Sequence, residues 1–353
     1  MKNSKYIYIA ILCVSLLASC NRLDIEGIFN GTSPHHDKRF QQSMEWNEQF
    51  FKEHEAEGFE KDCIAKIKVE QEYYDIYWAS DVHVAGTTVL LDSFVNMAMG
   101  VYRYQDKISG KADTINFGPC AAVVFAGDII DAKNNYPLFY DAIKPLEDKG
   151  IPVFCTPGNH DLCFGQWDKY VEHWHTSSYW FEVECPSGAK DLFISFDSGD
   201  ATVGKKQFNW LKDLLKRKSC DRSYRHIIVF THTHMFKRDS NNAHGANYNF
   251  EEIYELAELF GKYNVEYYIC GHDHTHEETK FKNVTYYTIG AMKDSYLGKA
   301  AYMVMTVYDI SKDRNKSPLL VNLYRMDGTD YIQYLYDEYG DEYENEYEAE
   351  DNN

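Results

Sequence analysis

The chain has 353 residues, of which 44% are hydrophobic and 16% are aromatic. This apolar content is enough for a sizeable core, and it excludes an intrinsically disordered chain over most of the length. The formal net charge of -19 argues against a protein that binds nucleic acid through a general basic surface, because phosphate contacts need clustered Lys and Arg.

The N-terminus resembles a bacterial export signal. Two lysines precede an apolar run over residues 6–17, and this run is too short to span a membrane comfortably. Residues 17–20 read Leu-Ala-Ser-Cys and resemble the lipobox of bacterial lipoproteins, in which the cysteine is acylated and becomes the mature N-terminus. We therefore predict a signal peptide over residues 1–19 and an exported protein held at the membrane of the cell envelope through lipidated Cys20. An ordinary cleaved signal is the alternative.

Two polar segments flank the part of the chain that carries most of its apolar runs. In residues 20–66, the spacing of apolar side chains over residues 40–51 predicts a packing or stalk helix. Residues 331–353 combine many acidic residues with tyrosine, which is typical of a disordered tail. The residues between them, 67–330, are predicted to form the folded domain.

Short apolar runs, rich in β-branched and aromatic residues, recur from residue 73 onward. Amphipathic stretches over residues 206–215 and 250–262 separate some of them and are typical of helices. Strand and helix patterns that alternate in this way predict an α/β fold. The late runs 301–310 and 319–325 have no helix between them, so we expect an antiparallel hairpin in a second sheet. The seven earlier predicted strands are 74–79, 121–126, 151–155, 192–196, 226–230, 265–270 and 284–289.

Five short motifs rich in Asp, Asn and His follow predicted strands. Each motif alone is weak, because an Asp after a strand is more often a helix cap or a turn residue. Five of them together are informative, since the carboxyl ends of strands in an α/β sheet are where distant side chains converge on a ligand. The motifs are Asp81-Val82-His83, Gly127-Asp128-Ile129-Ile130-Asp131, Gly158-Asn159-His160-Asp161, Thr231-His232-Thr233-His234 and Gly271-His272-Asp273-His274.

The residue types in these motifs suit two divalent metal ions held close together. Imidazole and carboxylate ligands select Mn, Fe, Zn or similar ions rather than Ca or Mg, and no thiolate accompanies the motifs. Asp81 and His83 are one residue apart, as are His272 and His274, so each pair can point to one side of an extended chain. The carboxylate of Asp128 has two oxygens and can bridge two cations.

The order of the motifs resembles that of the calcineurin-like metallophosphoesterase family, whose pattern is D-x-H, G-D-x-x-D, G-N-H-D/E, a single H and then G-H-x-H. The resemblance covers residues 73–325. It implies an α/β (α+β) fold in which two mixed β-sheets pack as a sandwich flanked by helices. It also implies a hydrolase that cleaves a phosphomonoester or phosphodiester, in a small molecule or another phosphorylated substrate, with a bridging hydroxide generated by two metal ions.

Carried over position by position, the resemblance implies a role for each motif residue. His160 would donate a proton to the leaving oxygen or stabilise charge on the phosphoryl group, and Asp161 would orient it. Asp131 would steady a ligand or a loop. Asp131 stands where purple acid phosphatases carry a Tyr ligand, which argues against that subgroup. One ion would be held by Asp81, His83 and His274, the other by Asn159, His232 and His272, with Asp128 bridging the two.

Several assignments stay open at the level of the sequence. His234 stands where the family often has Pro, so it competes with His232 as a ligand, and the alignment of the motif favours His232. Aromatic residues at positions 167, 174, 179 and 180 could contact a substrate, although core packing is the simpler interpretation. His35 and His36 follow a proline in a predicted loop, where we expect both to be solvated.

Two other functions are compatible with the motifs. Paired metals also serve hydrolases of amide or ester bonds, but His160 beside Asn159 fits a phosphoesterase better. A non-catalytic surface lipoprotein could use a metal-containing site to bind a partner or a glycan, but such a site need not keep His160. The seven cysteines that follow Cys20 are an odd set without a C-x-x-C pair, so a disulfide framework is not expected.

Overall fold

The computed structural model describes residues 34–100, 104–105, 112–113, 119–131, 135–163, 166–236, 248–296, 300–309, 319–326 and 332–334. The predicted signal peptide, Cys20 and residues 335–353 of the predicted tail lie outside the described residues. Within the described part of the chain, no helix is both long enough and apolar enough to cross a membrane. Every cysteine in these residues is free.

Seven α-helices lie in the described residues. Pro34 opens the first, at a position where its missing N–H would make no intrahelical bond in any case. Asn249 caps the last helix, where its side chain accepts a hydrogen bond from the N–H of Glu252 (2.8 Å). The helices are α1 Pro34–His54, α2 Val89–Ala98, α3 Tyr136–Asp148, α4 Asn159–Leu162, α5 Trp167–Trp174, α6 Lys205–Lys218 and α7 Phe250–Lys262.

The strands of the described residues form two large sheets and one two-stranded pair. In chain order they are β1 Cys63–Lys68, β2 Tyr73–Ala79, β3 Tyr104–Gln105, β4 Ala112–Asp113, β5 Cys120–Phe125, β6 Val153–Cys155, β7 Tyr179–Glu184, β8 Lys190–Ser195, β9 Tyr224–Phe230, β10 Tyr267–Cys270, β11 Glu277–Phe281, β12 Val284–Thr288, β13 Ala300–Tyr308, β14 Leu319–Met326 and β15 Ile332–Tyr334.

Both large sheets are mixed. The first has the strand order β1-β7-β8-β9-β10-β12-β11, and β8, β9 and β10 run parallel within it. The second has the order β15-β14-β13-β2-β5-β6, and β2, β5 and β6 run parallel within it. The hairpin of β13 and β14 is antiparallel and joins the second sheet by pairing with β2. Strand β15 lies at the start of the segment predicted to be a tail.

The two sheets pack face to face through an aromatic core. The ring of Trp78 lies 5.5 Å from that of Phe230 and 6.3 Å from that of Phe193, and Phe154 stacks on Phe181 at 3.9 Å. All five side chains are buried. These contacts join β2 and β6 of the second sheet to β7, β8 and β9 of the first, which makes the pair a sandwich.

Helices cover the outer faces of the sandwich. On the second sheet, Phe94 of α2 and Phe139 of α3 contact Phe125 of β5 with ring centroids 5.9 and 5.0 Å apart. On the first sheet, Leu211 of α6 and Phe260 of α7 belong to one buried apolar cluster with side chains of β8, β9 and β10. The central strands are therefore buried on both faces, which explains their continuous apolar runs.

The predicted fold is confirmed, and the differences are local. The seven early strands, the late hairpin and the helices at 206–215 and 250–262 lie where the patterns place them, with shifted ends. The longer elements that the patterns missed include strands β1 and β7 and helices α2 and α3. Tyr179 and Trp180 belong to β7 and are buried in it, so core packing is the correct interpretation of these two side chains.

The prediction for His36 is wrong. Its side chain is fully buried on α1, where Nε2 lies 3.1 Å from the main-chain oxygen of Asp197. The physical reason is Pro34, which was read as a loop signal. A proline fixes φ near the helical value and is tolerated in the first turn, so here it begins a helix.

Candidate metal centre

The five motifs follow strands from both sheets and meet at one end of the sandwich. β2, β5 and β6 lead into the first three motifs, and β9 and β10 lead into the last two. Main-chain hydrogen bonds join neighbouring loops at the end of each sheet. The N–H of Asp81 donates to Gly127 O (3.0 Å), that of His83 to Asp128 O (3.0 Å) and that of Gly271 to His232 O (2.9 Å).

One group of motif side chains, called the first cluster, consists of Asp81, His83 and His274. The Nε2 atoms of His83 and His274 lie 3.1 Å apart. Oδ1 of Asp81 is 3.3 Å from Nε2 of His274 and 3.8 Å from Nε2 of His83. Three potential ligand atoms therefore converge on one point, and Asp81 is fully buried there.

The second cluster consists of Asn159, His232 and His272. Nε2 of His232 lies 3.2 Å from Oδ1 of Asn159 and 3.1 Å from Nδ1 of His272. His232 is fully buried and His272 is 8% exposed, so both rings are shielded from solvent. This group again brings one oxygen and two imidazole nitrogens to a common point.

Asp128 lies between the two clusters. Its Oδ2 is 3.3 Å from Nε2 of His232 and 3.7 Å from Nε2 of His83. Its Oδ1 accepts a hydrogen bond from the N–H of His160 (2.7 Å). One carboxylate oxygen thus faces both clusters, which is the position that a shared ligand requires.

The donor set fits two divalent metal ions. Ligand atoms bonded to one ion at about 2.0–2.1 Å lie roughly 3.0–3.4 Å apart. Four of the five separations given above are 3.1 to 3.3 Å and match that spacing, and the fifth, between Asp81 Oδ1 and His83 Nε2, is 3.8 Å. Oδ1 of Asp81 is buried and accepts no hydrogen bond in the described residues. Two carboxylates buried side by side also call for positive charge to balance them.

Hydrogen bonds to the far side of two imidazoles direct their free nitrogens into the clusters. Nδ1 of His83 lies 2.6 Å from Oδ1 of Asp131, and Nδ1 of His232 lies 2.8 Å from the main-chain oxygen of Ala126. An acceptor at Nδ1 fixes the N–H there and leaves the Nε2 lone pair for a metal. Asp131 thus contacts the ring of a predicted ligand, which is the position that its predicted supporting role requires.

The electrostatics of the centre follow from its buried acids. Burial opposes the charged form of His232, but the carboxylates of Asp128 and Asp81 outweigh it and raise the pKa of His232 to about 10. Burial, followed by the charge on His232, lowers the pKa of His272 to about 4. A metal ion bound at Nε2 of His232 would take the place of a proton there, so binding at the second cluster should depend on pH.

The backbone is strained at most of these positions. Left-handed φ values cost an L-residue energy, and such outliers concentrate at functional sites. Elsewhere in the described residues only six residues other than glycine have positive φ. In the centre they are Asp81 (52°), His83 (46°), Asp128 (51°), His272 (76°) and His274 (61°).

Glycines allow the loops to approach the ligand side chains. A Cβ on Gly158 would lie 2.1 Å from Oδ1 of Asp128, and a Cβ on Gly271 would lie 1.7 Å from Oγ of Ser80 and 2.3 Å from Oδ2 of Asp81. No side chain fits at either distance. The glycine that precedes Asn159 or His272 in its motif is therefore a packing requirement of the centre itself.

His160 lies at the edge of the centre, and its predicted partner is wrong. Its ring packs edge-on against that of His83 with centroids 4.5 Å apart, and its Nδ1 is 3.6 Å from Oδ1 of Asp131. Asp161 does not contact the His160 ring. It accepts hydrogen bonds from the N–H groups of Gly158 (2.8 Å) and Ile129 (3.4 Å), because a carboxylate in the first turn of a helix reaches back to its cap.

Two further residues lie beside the clusters: His234, the alternative ligand, and Ser80. The His234 ring stacks on that of His272 with centroids 5.6 Å apart, whereas His232 contributes Nε2 to the second cluster. Ser80, which sequence reasoning missed, has its Oγ 2.6 Å from Asp81 Oδ2 and 2.9 Å from Ala126 O, and its single hydroxyl proton can be donated to either oxygen. Its only signal was its position directly before Asp81.

A model of the calcineurin-like phosphoesterase family matches residues 74–276, more than half of the chain. The resemblance inferred from the five motifs is thereby confirmed. A search among curated proteins found no match.

Solved structures with a similar fold include three proteins at low sequence identity. A dimetal phosphatase from Danio rerio is 13% identical, with a TM-score of 0.50 over 74% of this chain and 98% of that one. GAP50, the anchor in the inner membrane complex of Plasmodium, is 15% identical, with a TM-score of 0.51 over 72% and 85%. Purple acid phosphatase PPD1 from yellow lupin (Lupinus luteus) seeds is 13% identical, with a TM-score of 0.53 over 75% and 53%. At these identities the likeness shows the fold.

Proposed function

Because this chain belongs to the calcineurin-like phosphoesterase family, a group of metal-dependent hydrolases of phosphate esters, we propose that its centre cleaves a phosphomonoester or a phosphodiester. The observation that carries the proposal is the joint placement of two ligand clusters, a carboxylate between them and the partly exposed His160 at their edge. This arrangement offers ligands for two ions and a proton donor on one side of a single open site.

In this proposal the first cluster holds one ion, the second cluster holds the other, and Asp128 is shared. Two ions held by these residues would activate a water molecule for attack on phosphorus and would offset the charge of the phosphoryl oxygens. The spacing of the ligand atoms and the Nδ1 hydrogen bonds of His83 and His232 support this assignment.

His160 would deliver a proton to the leaving oxygen. Its side chain is 42% exposed, so a substrate can reach it. Asp131, with Oδ1 facing both His83 Nδ1 (2.6 Å) and His160 Nδ1 (3.6 Å), takes over the orienting role first given to Asp161. One carboxylate would then steady a ligand and the proton donor together.

A cavity of about 200 Å³ opens beside His83 and Asp131 and would receive the leaving group. Its remaining polar lining comes from Thr87, Thr88, Lys293, Asp294 and Ser295. The volume suits a small polar leaving group better than a folded protein surface, so we propose a small-molecule phosphate ester as substrate.

Two further proposals concern location and the alternative role. The lipobox-like residues 17–20 support export and anchoring of Cys20 in the bacterial cell envelope. A non-catalytic lipoprotein that binds a partner or a glycan is the second candidate, since one protein of similar fold is named as an anchor. The position of His160 favours the enzyme, because a binding protein has no use for a proton donor at the cluster edge.

The test is hydrolysis of p-nitrophenyl phosphate and bis-p-nitrophenyl phosphate by the full chain with added Mn²⁺. We expect turnover of at least one compound, loss of turnover after chelation and recovery when Mn²⁺ is returned. Comparison of the two compounds separates monoesterase from diesterase activity. Absence of hydrolysis with either compound, in protein that binds two ions, would favour the non-catalytic alternative.

A further inference from the structure

Helix α1 precedes the residues that match the family model, yet it docks on the domain through polar groups. Asn47 Nδ2 donates to the main-chain oxygen of Ser178 (2.8 Å), and Ser43 Oγ accepts from the N–H of Ser177 (3.1 Å). Such contacts fix a helix more specifically than apolar packing does, because buried polar groups must find their partners. The buried polar side chains at helical spacing on this face are His36, Arg39, Ser43 and Asn47.

Arg39 is the charged member of this face. Its Nε donates to Oδ2 of Asp197 (2.7 Å), and its Nη2 lies 3.0 Å from Oδ1 of Asp200. Arg39 is 7% exposed and Asp197 is fully buried, so the pair is shielded from water. His36 and the two aspartates could by residue type hold a cation, but the guanidinium already pairs with both carboxylates. The group is therefore an ion pair rather than a metal site.

The loop that carries Asp197 touches the motif of Asn159. Oδ1 of Asp197 accepts a hydrogen bond from the N–H of Gly199 (3.0 Å). A Cβ on Gly199 would lie 2.9 Å from the main-chain oxygen of Gly158, the residue before Asn159. The Asp197 side chain thus holds a backbone segment that is in close contact with the start of α4.

The same loop holds the motif of His232 from both sides. Oγ of Ser198 accepts hydrogen bonds from Oγ1 of Thr231 (2.6 Å) and from the N–H of Thr233 (2.9 Å). Oγ1 of Thr233 donates back to the main-chain oxygen of Ser198 (2.7 Å). The residues before and after His232 are therefore both fixed to the residue that follows Asp197.

The first cluster is supported in another way. The backbone N–H groups of Asp81 and His83 donate to the main-chain oxygens of Gly127 and Asp128. Two members of the second cluster, by contrast, sit on loops that contact residues 198 and 199. A disturbance at Asp197 should therefore reach the second cluster before the first.

We propose that Arg39 and Asp197 form a positioning pair, through which helix α1 fixes the loops of Asn159 and His232 and sets the affinity of the second cluster for its metal ion. This inference rests on the ligand assignment of the proposed function. It makes α1 a working part of the metal centre, although the helix lies outside the matched residues.

The experiment is calorimetric titration of the full-length, metal-free protein with Mn²⁺ alone. The main variant is the double substitution Arg39→Gln and Asp197→Asn, which removes both charges together and keeps an acceptor for the Gly199 N–H. We expect one of two ions to bind about tenfold more weakly and the other to bind as in the unmodified protein. Arg39→Lys keeps the charge but loses the planar fork, and it should give an intermediate loss.

A matched control is available at the other end of the sandwich. Arg225 and Asp191 form an ion pair of the same length (2.7 Å) and the same side-chain exposure as Arg39 and Asp197. They lie near the amino ends of β8 and β9, away from the motifs. The double substitution Arg225→Gln and Asp191→Asn should lower the unfolding temperature and leave both Mn²⁺ affinities unchanged.

Three results would overturn the inference: unchanged binding in the Arg39 double variant, equal weakening of both ions, or the same weakening in the control. If the double variant does not fold, the titration of Arg39→Lys decides, and unchanged affinity in that folded protein refutes the pairing. The measurement does not use hydrolysis. Unmodified protein that binds two ions without cleaving an ester would refute the proposed function, while selective weakening would still uphold the positioning pair.

Discussion

Phe125 and Asp128 are three residues apart, yet they belong to regions with opposite physical character. Phe125 ends strand β5 and is fully buried between the rings of Phe94 and Phe139. Asp128 has a left-handed backbone, a buried charge and imidazoles on two sides. The strand lowers the free energy of the fold, whereas the loop raises it.

The comparison shows that packing of the unstrained strands offsets the backbone strain of the loops that follow them. Each left-handed residue costs roughly 1–2 kcal/mol, and five such residues carry most of the ligands. Large buried side chains beside them contribute several kcal/mol each by comparison. Substitutions in the loops should therefore change chemistry, and substitutions in the strands should change stability.

The largest effect is expected at the shared carboxylate. Asp128→Asn keeps the shape of the side chain but removes the charge that faces both clusters, so we expect loss of metal and a fall in hydrolysis on the order of 10⁴-fold. Metal content by elemental analysis and turnover of bis-p-nitrophenyl phosphate measure the two effects. Retention of two ions with normal turnover would show that Asp128 is not shared.

Next in size is the proton donor. His160→Ala should keep both ions and lose about 10²- to 10⁴-fold in rate, because general-acid help is removed while the ligand atoms stay in place. His173→Ala is the matched control, since His173 pairs with Glu147 and is not part of either cluster. Loss of both ions in the His160 variant would mean that this residue belongs among the ligands.

The strand side of the comparison is tested by Phe125→Ala. Removal of this ring leaves a cavity in the packed layer and should lower the free energy of unfolding by about 3–5 kcal/mol, as judged from urea denaturation. The folded fraction should still bind two ions per chain. If the variant unfolds like the unmodified protein but lacks metal, stability and chemistry are not divided as we describe.

A pH titration of stability probes the Arg39 pair. Burial opposes the charge of Asp197, but the Arg39 guanidinium prevails and holds the pKa of that carboxyl below its ordinary value of 3.8. A depressed carboxyl pKa contributes stability that is present above the unfolded value and is lost as pH falls through the folded one. In metal-free protein, the stability gap between the unmodified chain and the Arg39→Gln, Asp197→Asn variant should shrink below pH 4. A constant gap would contradict this assignment.

The smallest effect is expected from relief of the backbone strain at His274. His274→Gly removes an imidazole from the first cluster and should weaken metal binding, but glycine adopts φ of 61° without strain. In metal-free protein we expect it to be more stable than His274→Ala by about 1 kcal/mol, since both lack the imidazole and only alanine keeps the strain. Equal unfolding midpoints would show that the loop is not strained.

The sequence pattern allowed an α/β fold to be predicted because the central strands are buried on both faces and stand out as apolar runs. The sandwich of two sheets was implied by the resemblance to the family, not by the pattern. Strand β7 was missed because Glu182 and Glu184 interrupt its apolar run. In the fold these two carboxylates pair with Lys190 and Lys68. Helix α3 was missed because Pro145 interrupts its pattern. The periodicity of the local sequence does not reveal the ion-pair partners of β7 or the tolerance of α3 for a proline.

In the metal centre, motif positions were predictable and side-chain contacts were not. The motifs identified Asp81, His83 and His274 as candidate ligands. Only the folded loops show that Asp131, and not Asp161, faces His160. Ser80 had no motif to mark it, since a hydroxyl beside a strand end is common. The burial of His36 depends on Asp197, which is 161 positions away in the chain.

The two oxygens of Asp128 have a consequence for the choice of metal. Oδ2 faces the clusters, while Oδ1 accepts the N–H of His160 (2.7 Å) at the start of α4. We expect the Asp128 carboxylate to rotate when a larger ion binds. This rotation would move His160, whose N–H is hydrogen-bonded to Oδ1. We therefore expect the hydrolysis rates with Mn²⁺ and Zn²⁺ to differ by more than the Lewis acidities of the two ions predict. The additional difference would come from ionic size, which would shift His160 through its hydrogen bond to Asp128.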